Sequence, residues 1–137
     1  MVAKRFEDLI VWQLAHELEE EVFAFTANSP ASRDFKFCDQ IRDAIRSVKR
    51  NVAEGFGKYY PKEFSRFLRI AAGSLHETKN HLRDARDRNY LTPEKFEQLT
   101  RVCLRAIKAN NKLIAYLATC DPPNPYADPT GPNSPPP

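Results

Sequence analysis

Apolar residues recur at alternating steps of four and three through four stretches of this 137-residue chain, and few folds can bury such a pattern. The first stretch carries Val11, Ala15, Leu18, Val22 and Phe25. The second carries Phe37, Ile41, Ala44, Val48 and Val52, with Ile45 alongside. Phe64, Leu68, Ala71, Leu75, Thr78, Leu82 and Ala85 make the third, and Phe96, Leu99, Cys103, Ala106, Asn110, Leu113 and Leu117 the fourth. At 3.6 residues per turn each set falls on one helical face, a seam that must pack against neighbours. No alternating strand pattern competes.

Punctuation agrees with four helices. Pro30, Pro61 and Pro93 are the only prolines before residue 122, spaced almost evenly. Thr92-Pro93-Glu94 places a hydroxyl at an N-cap, proline at the first helical position and an acid near the positive helix end. Pro61 and Glu63 open the third helix in the same way, and Gly55 and Gly57 are expected to end the second in left-handed conformation. Helices of ~20–27 residues, each ~30–40 Å long, predict an all-α, antiparallel up-down-up-down four-helix bundle. The bundle domain is expected over residues 1–120. A Pro-rich extended tail follows over 121–137, where eight of 17 residues are proline. Pro122-x-x-Pro125 and Pro132-x-x-Pro135 match a loose PxxP pattern, although a passive tail is the plainer reading.

Charge is segregated along this frame. Residues 6–28 carry Glu7, Asp8, Glu17, Glu19, Glu20 and Glu21 and no Lys or Arg, whereas residues 29–120 carry 19 Lys/Arg against 10 Asp/Glu. The formal net charge of +3 hides that contrast. Such a chain can attract copies of itself head to tail, or a polyanion. Cys38, Cys103 and Cys120 form no CxxC pair and suit a reducing cytoplasm. No apolar run reaches membrane-spanning length and no signal-peptide pattern opens the chain, so no membrane partner is expected.

Catalytic chemistry finds no foothold. A ferritin-like metal site needs Glu three residues before its histidines, and His16, His76 and His81 all lack it. His76 and His81 resemble a zincin pair but stand five apart, which turns the second ring ~140° from the first. Neither a nucleophile elbow nor a P-loop occurs. No catalytic residue, metal or cofactor is predicted.

Basic stripes are the stronger signal. Arg101, Arg105, Lys108 and Lys112 recur at four, three and four, with no acid between Glu97 and Asp121. Arg66 and Arg69 on the third helix, and Arg42, Arg46 and Lys49 on the second, extend the list of candidate phosphate contacts. The alternative is a solvated outer face, but i,i+4 acids would be expected there. Ser47, Asn51 and Glu54 align on one edge of the second helix, as do Ser74 and Glu77 on the third. A hydrogen-bonded register network fits these better than acid–base work by Glu54 and Glu77. Trp12, Phe23, Phe56, Phe67 and Ile70 lie off the seams, which suggests either a wide core or an oligomer interface.

The segment from Phe6 to Ala15, FEDLIVWQLA, resembles the opening of the four-helix bundle proteins called 23S rRNA intervening-sequence proteins. The likeness continues through Gln40-Ile41-Arg42 and from Ser47 to Lys58, SVKRNVAEGFGK. It resumes from Phe64 to Leu68, FSRFL, and from Ile70 to Glu77, IAAGSLHE, and ends near Tyr90-Leu91. Asn89 stands where glycine is usual, and Thr78 and Lys79 also depart from the commoner residues. The resemblance covers roughly residues 6–120 and implies a bundle with no established catalysis. The chain is also similar to accessory proteins of diversity-generating retroelements, which form five-membered rings and bind nucleic acid and a reverse transcriptase. What this implies is a homopentameric ring with RNA or DNA as partner; a reverse transcriptase would follow only for a gene inside a retroelement. The expected function is thus a non-enzymatic, ring-forming bundle that binds nucleic acid through basic outer faces. Its rival is an oligomeric scaffold or protein-interaction module that binds no nucleic acid.

Overall fold

In the computed structural model, which describes residues 3–127, four helices form in chain order: α1 (Ile10–Thr26), α2 (Phe35–Phe56), α3 (Pro61–Asp87) and α4 (Pro93–Leu117). Short 3₁₀ turns at Phe6–Asp8 and Ala31–Arg33 precede α1 and α2. No strand occurs among the described residues. Each helix packs on its chain neighbours and α1 closes against α4, so the helices occupy the corners of a square. Cross-helix pairs fix the directions. Thr26 meets Arg42 while Glu19 meets Lys49, and Leu68 meets Asn110 while Cys103 meets Leu75. Position rises along one helix as it falls along the other, which is the antiparallel arrangement.

The seams predicted from the four/three stepping are the core. Leu18, Val22, Ile41, Val48, Phe64, Leu68, Leu75, Leu99 and Cys103 are fully buried. Burying side chains of this size stabilises the fold by about 1.5–3 kcal/mol each before ordering entropy is subtracted. Thr92 caps α4 as expected, its hydroxyl accepting from Lys95 N–H at 3.1 Å. Asp34 does the same for α2, accepting from Phe37 N–H at 3.2 Å.

The glycines behave otherwise than expected. Gly57 closes α2 at φ −81°, ψ −3°, and no described glycine has positive φ. Gly55 is instead a contact residue, buried against Phe64 and Phe67 of α3. The left-handed position falls on Asn89, at φ 61°. There Tyr90 N–H donates back to Ala85 O at 2.8 Å and Asn89 N–H to Arg86 O at 3.0 Å, a Schellman closure of α3. Asn tolerates this conformation better than other side-chain-bearing residues, which explains how it stands where glycine is usual.

The start of the Pro-rich tail is held by the chain itself. Asn124, 1% exposed, donates from its side chain to Phe56 O and Lys58 O, and from its backbone to Tyr59 O at 2.6 Å. It thereby satisfies carbonyls that the end of α2 and the turn after it would leave without partners. Tyr126 N–H donates to Asn124 Oδ1 at 2.7 Å, and its ring packs on Phe56 and Phe64 at 5.4 and 5.9 Å. The first PxxP run thus brackets a buried asparagine. The second, Pro132 to Pro135, lies outside the described residues.

Candidate nucleic-acid interface

The α4 stripe is exposed along its whole length: Arg101, Arg105, Lys108 and Lys112 all face solvent. From Arg101 to Lys112 the stripe runs about 16 Å at 1.5 Å per residue. Arg101 approaches Glu97 at 3.8 Å. Among the described residues, Arg105, Lys108 and Lys112 have no carboxylate within salt-bridge distance.

The other basic candidates divide. Arg66 and Arg69 are exposed, and the Arg66 guanidinium lies 4.6 Å from the centre of the Phe67 ring. Arg46 is exposed and covers Phe23 at 4.8 Å. Arg42 is half-buried; it covers the same ring at 4.6 Å and donates to Thr26 Oγ1 at 2.8 Å. Lys49 is also enclosed, its side chain 19% exposed. Its ammonium donates to Glu19 at 2.9 Å and to His16 Nδ1 at 2.9 Å, above the Trp12 ring at 4.7 Å. With Nδ1 accepting, His16 Nε2–H is left to donate to Glu20 at 2.8 Å. Lys95 of α4 meets Glu21 at 2.8 Å. The acidic first helix therefore neutralises cations on both neighbours, and Arg42 and Lys49 of the α2 stripe face it while Arg46 stays exposed.

The off-seam aromatic residues are largely covered by their own chain. Trp12 stacks on His16 at 5.1 Å and meets Phe6 edge-on at 5.8 Å. Phe56 sits among Phe6, Phe64 and Tyr126. Phe23 and Phe67 lie beneath cationic side chains, and Ile70 is exposed. Exposed apolar residues not singled out from the sequence include Ile10, Phe35, Leu104 and Tyr116.

Three of the five expected network residues come together. Ser47 and Ser74 hydroxyls are 2.8 Å apart, and the Asn51 amide donates to Ser47 O at 2.8 Å and Ser47 Oγ at 3.1 Å. Thr78 adds a bond to Ser74 O at 2.8 Å. Glu54 and Glu77 turn outward, to Lys58 at 3.3 Å and His81 at 3.5 Å. Among the described residues no cluster of three or more His, Cys, Asp or Glu is placed to hold a metal, and no helix is long and apolar enough to cross a membrane.

Beside the α4 stripe runs a groove of about 570 Å³ between α1 and α4. Leu9, Val11, Leu14, Ala109 and Leu113 line it, with Tyr116 and Tyr126 among the bounding residues and Arg105, Lys108 and Lys112 as a basic lip. The sequence carried one signal for it: Tyr116 stands four residues after Lys112 and continues the stripe's face.

Fold and surface together define an all-α, antiparallel four-helix bundle with an exposed basic face on α4. Residues 7–112 match the 23S rRNA-intervening sequence protein family, and the chain belongs to that family. Among solved structures it is similar to a protein of unknown function from the S23 ribosomal protein family of Bacteroides thetaiotaomicron. The two are 21% identical, with 77% of this chain and 98% of that chain covered and a TM-score of 0.70. This likeness is one of fold. No curated protein matches the chain.

Proposed function

We propose that this protein is a non-enzymatic, ring-forming bundle that binds nucleic acid through the outer face of α4. The observation that carries the reading is the stripe itself: four exposed cations on one face of a rigid helix, three with no carboxylate partner among the described residues. Charges used only for solubility or helix support are ordinarily interleaved with acids at i,i+4. Arg66, Arg69 and Arg46 are secondary contacts. Arg42 and Lys49 act through the fold instead. Exposed Glu17 and Glu20 on α1, with Leu104 as an apolar contact, support head-to-tail assembly of copies, and a ring is the closed form of such contacts. Five members is the number carried by the family resemblance.

Fluorescence anisotropy of labelled RNA and DNA tests the binding. Each phosphate contact releases counterion, so four contacts predict affinity falling about a hundredfold between ~50 and ~200 mM salt. Replacing Arg101, Arg105, Lys108 and Lys112 by Gln should weaken binding and flatten that dependence; unchanged affinity and slope would sink the assignment. The second reading, a protein scaffold, is favoured by Ile70, 43% exposed beside half-buried Phe67. It predicts that Ile70→Asp lowers the oligomeric mass in sedimentation while polyanions have no effect.

A further inference from the structure

We infer that the groove between α1 and α4 takes the bases of single-stranded nucleic acid while the α4 cations follow its phosphates. This rests on the nucleic-acid reading and specifies which form is bound. A duplex hides its bases and offers a convex phosphate surface, for which a flat basic stripe would suffice. The basic side chains here instead border a concave, mainly apolar channel of about 570 Å³. Buried Leu9 and Leu14 form its floor and half-buried Leu113 a wall, an apolar lining suited to unstacked rings, not to phosphate. Tyr116, 44% exposed, stands four residues beyond Lys112 and presents a ring beside the cations. Single-strand sites combine these parts: a positive groove that tracks the backbone, and aromatic rings on which bases stack. Asp8, the one carboxylate bounding the groove among the described residues, is paired with Arg5 at 3.5 Å, so the lip stays positive. Ile10, 64% exposed at the edge, adds apolar surface for a base to cover.

The test compares a labelled mixed-sequence single strand with the same strand annealed to its complement, using the full chain at low salt. Single strand should bind at least about tenfold tighter than duplex, and Tyr116→Ala should weaken single-strand binding by about fivefold or more. Tyr116→Phe should bind as the parent does, since the stacking ring remains. Duplex binding and the salt slope should not respond to Tyr116→Ala, because no phosphate contact is lost. Equal affinity for the two forms, or single-strand affinity unmoved by Tyr116→Ala, overturns the groove assignment while leaving the basic stripe in place. Failure of the parent to bind either form overturns both.

Discussion

Gly55 of α2 lies so close to Phe64 of α3 that a β-carbon on the glycine would fall 2.7 Å from the ring's Cδ1 and 2.9 Å from Phe67 Cβ. The helices can approach this closely only because position 55 has no side chain. Gly55→Ala must push apart two elements packed along their whole length, at a cost of about 1–3 kcal/mol. Gly73, on the exposed face of α3, has no atom within 4 Å of its would-be β-carbon. There alanine removes only glycine's entropic penalty, so Gly73→Ala should stabilise by about 0.5–1 kcal/mol. Urea denaturation of the two variants should therefore move the midpoint in opposite directions.

Asn124 is the buried polar anchor of the tail, and its loss removes the bonds to Phe56 O and Lys58 O. Asn124→Ala should cost about 1–3 kcal/mol. Tyr126 fluorescence or local hydrogen exchange should report the tail loosening from Phe56 and Phe64. A thermal midpoint unchanged from the parent would mean that this segment does not support the fold.

That contact marks the boundary of what could be read from the residues alone. Periodicity placed Leu18, Ile41, Leu68 and Leu99 in the core because burial on one helix face is a local property of spacing. The Thr92 cap was legible for the same reason. Asn124 was hidden because composition describes the prolines around it, while its partners lie more than 60 residues away. The α2 stripe was misleading in the same sense: Lys49 and Arg42 step like exposed cations, and only the packing of α1 shows that Glu19 and Thr26 meet them. Gly55 was visible as a glycine, but close approach and left-handed turning give the same letter.

At the far end of the bundle, Asp34 couples the start of α2 to the end of α3. The Tyr90 hydroxyl donates to its carboxylate at 2.7 Å, Phe37 N–H at 3.2 Å and Arg88 at 2.8 Å. The Tyr90 bond, then the Phe37 bond, hold the Asp34 carboxyl below its usual 3.8, and the same contact holds the Tyr90 hydroxyl above 10.0. A depressed carboxyl contributes stability that is whole above its unfolded value and is lost as pH falls through the folded one. A raised phenol contributes stability that is whole below its unfolded value and is lost as pH rises through the folded one. The contribution of this pair to the urea midpoint should thus be flat between these limits and fall on both sides. Asp34→Asn should weaken both limbs, whereas Tyr90→Phe should remove this alkaline contribution and only reduce the acid limb, since Phe37 N–H and Arg88 still hold the carboxylate.

The three thiols should separate by reactivity. Burial pushes the Cys103 thiol up to about 11 and raises Cys38 as well, so neither offers thiolate near neutral pH. Cys120 is only half-buried at the end of α4. A native-state thiol titration with a disulfide reagent should modify Cys120 alone in its fast phase, with Cys38 and Cys103 reacting only at the rate of unfolding. Fast reaction at more than one site would contradict the packing around α2 and α4.

Lys49 and Lys108 separate cations that hold the fold from cations offered to a ligand. Lys49 is enclosed by Glu19, His16 and Trp12, and removing its charge leaves Glu19, 21% exposed, without its partner. Exposed pairs are worth little and breaking a fully buried one costs several kcal/mol, so Lys49→Gln should destabilise by an intermediate amount, about 1–3 kcal/mol. Lys108 projects from α4 with no carboxylate within salt-bridge distance among the described residues, so Lys108→Gln should leave stability within about 0.5 kcal/mol of the parent. Binding should reverse the order. Lys108→Gln should lower affinity for nucleic acid and reduce the salt slope by about one, whereas Lys49→Gln should change neither while the protein remains folded. Denaturation and anisotropy on the same two variants therefore decide which face of the bundle the ligand meets. Loss of binding in Lys49→Gln with a parent-like melting curve would move the interface from α4 to the seam between α1 and α2.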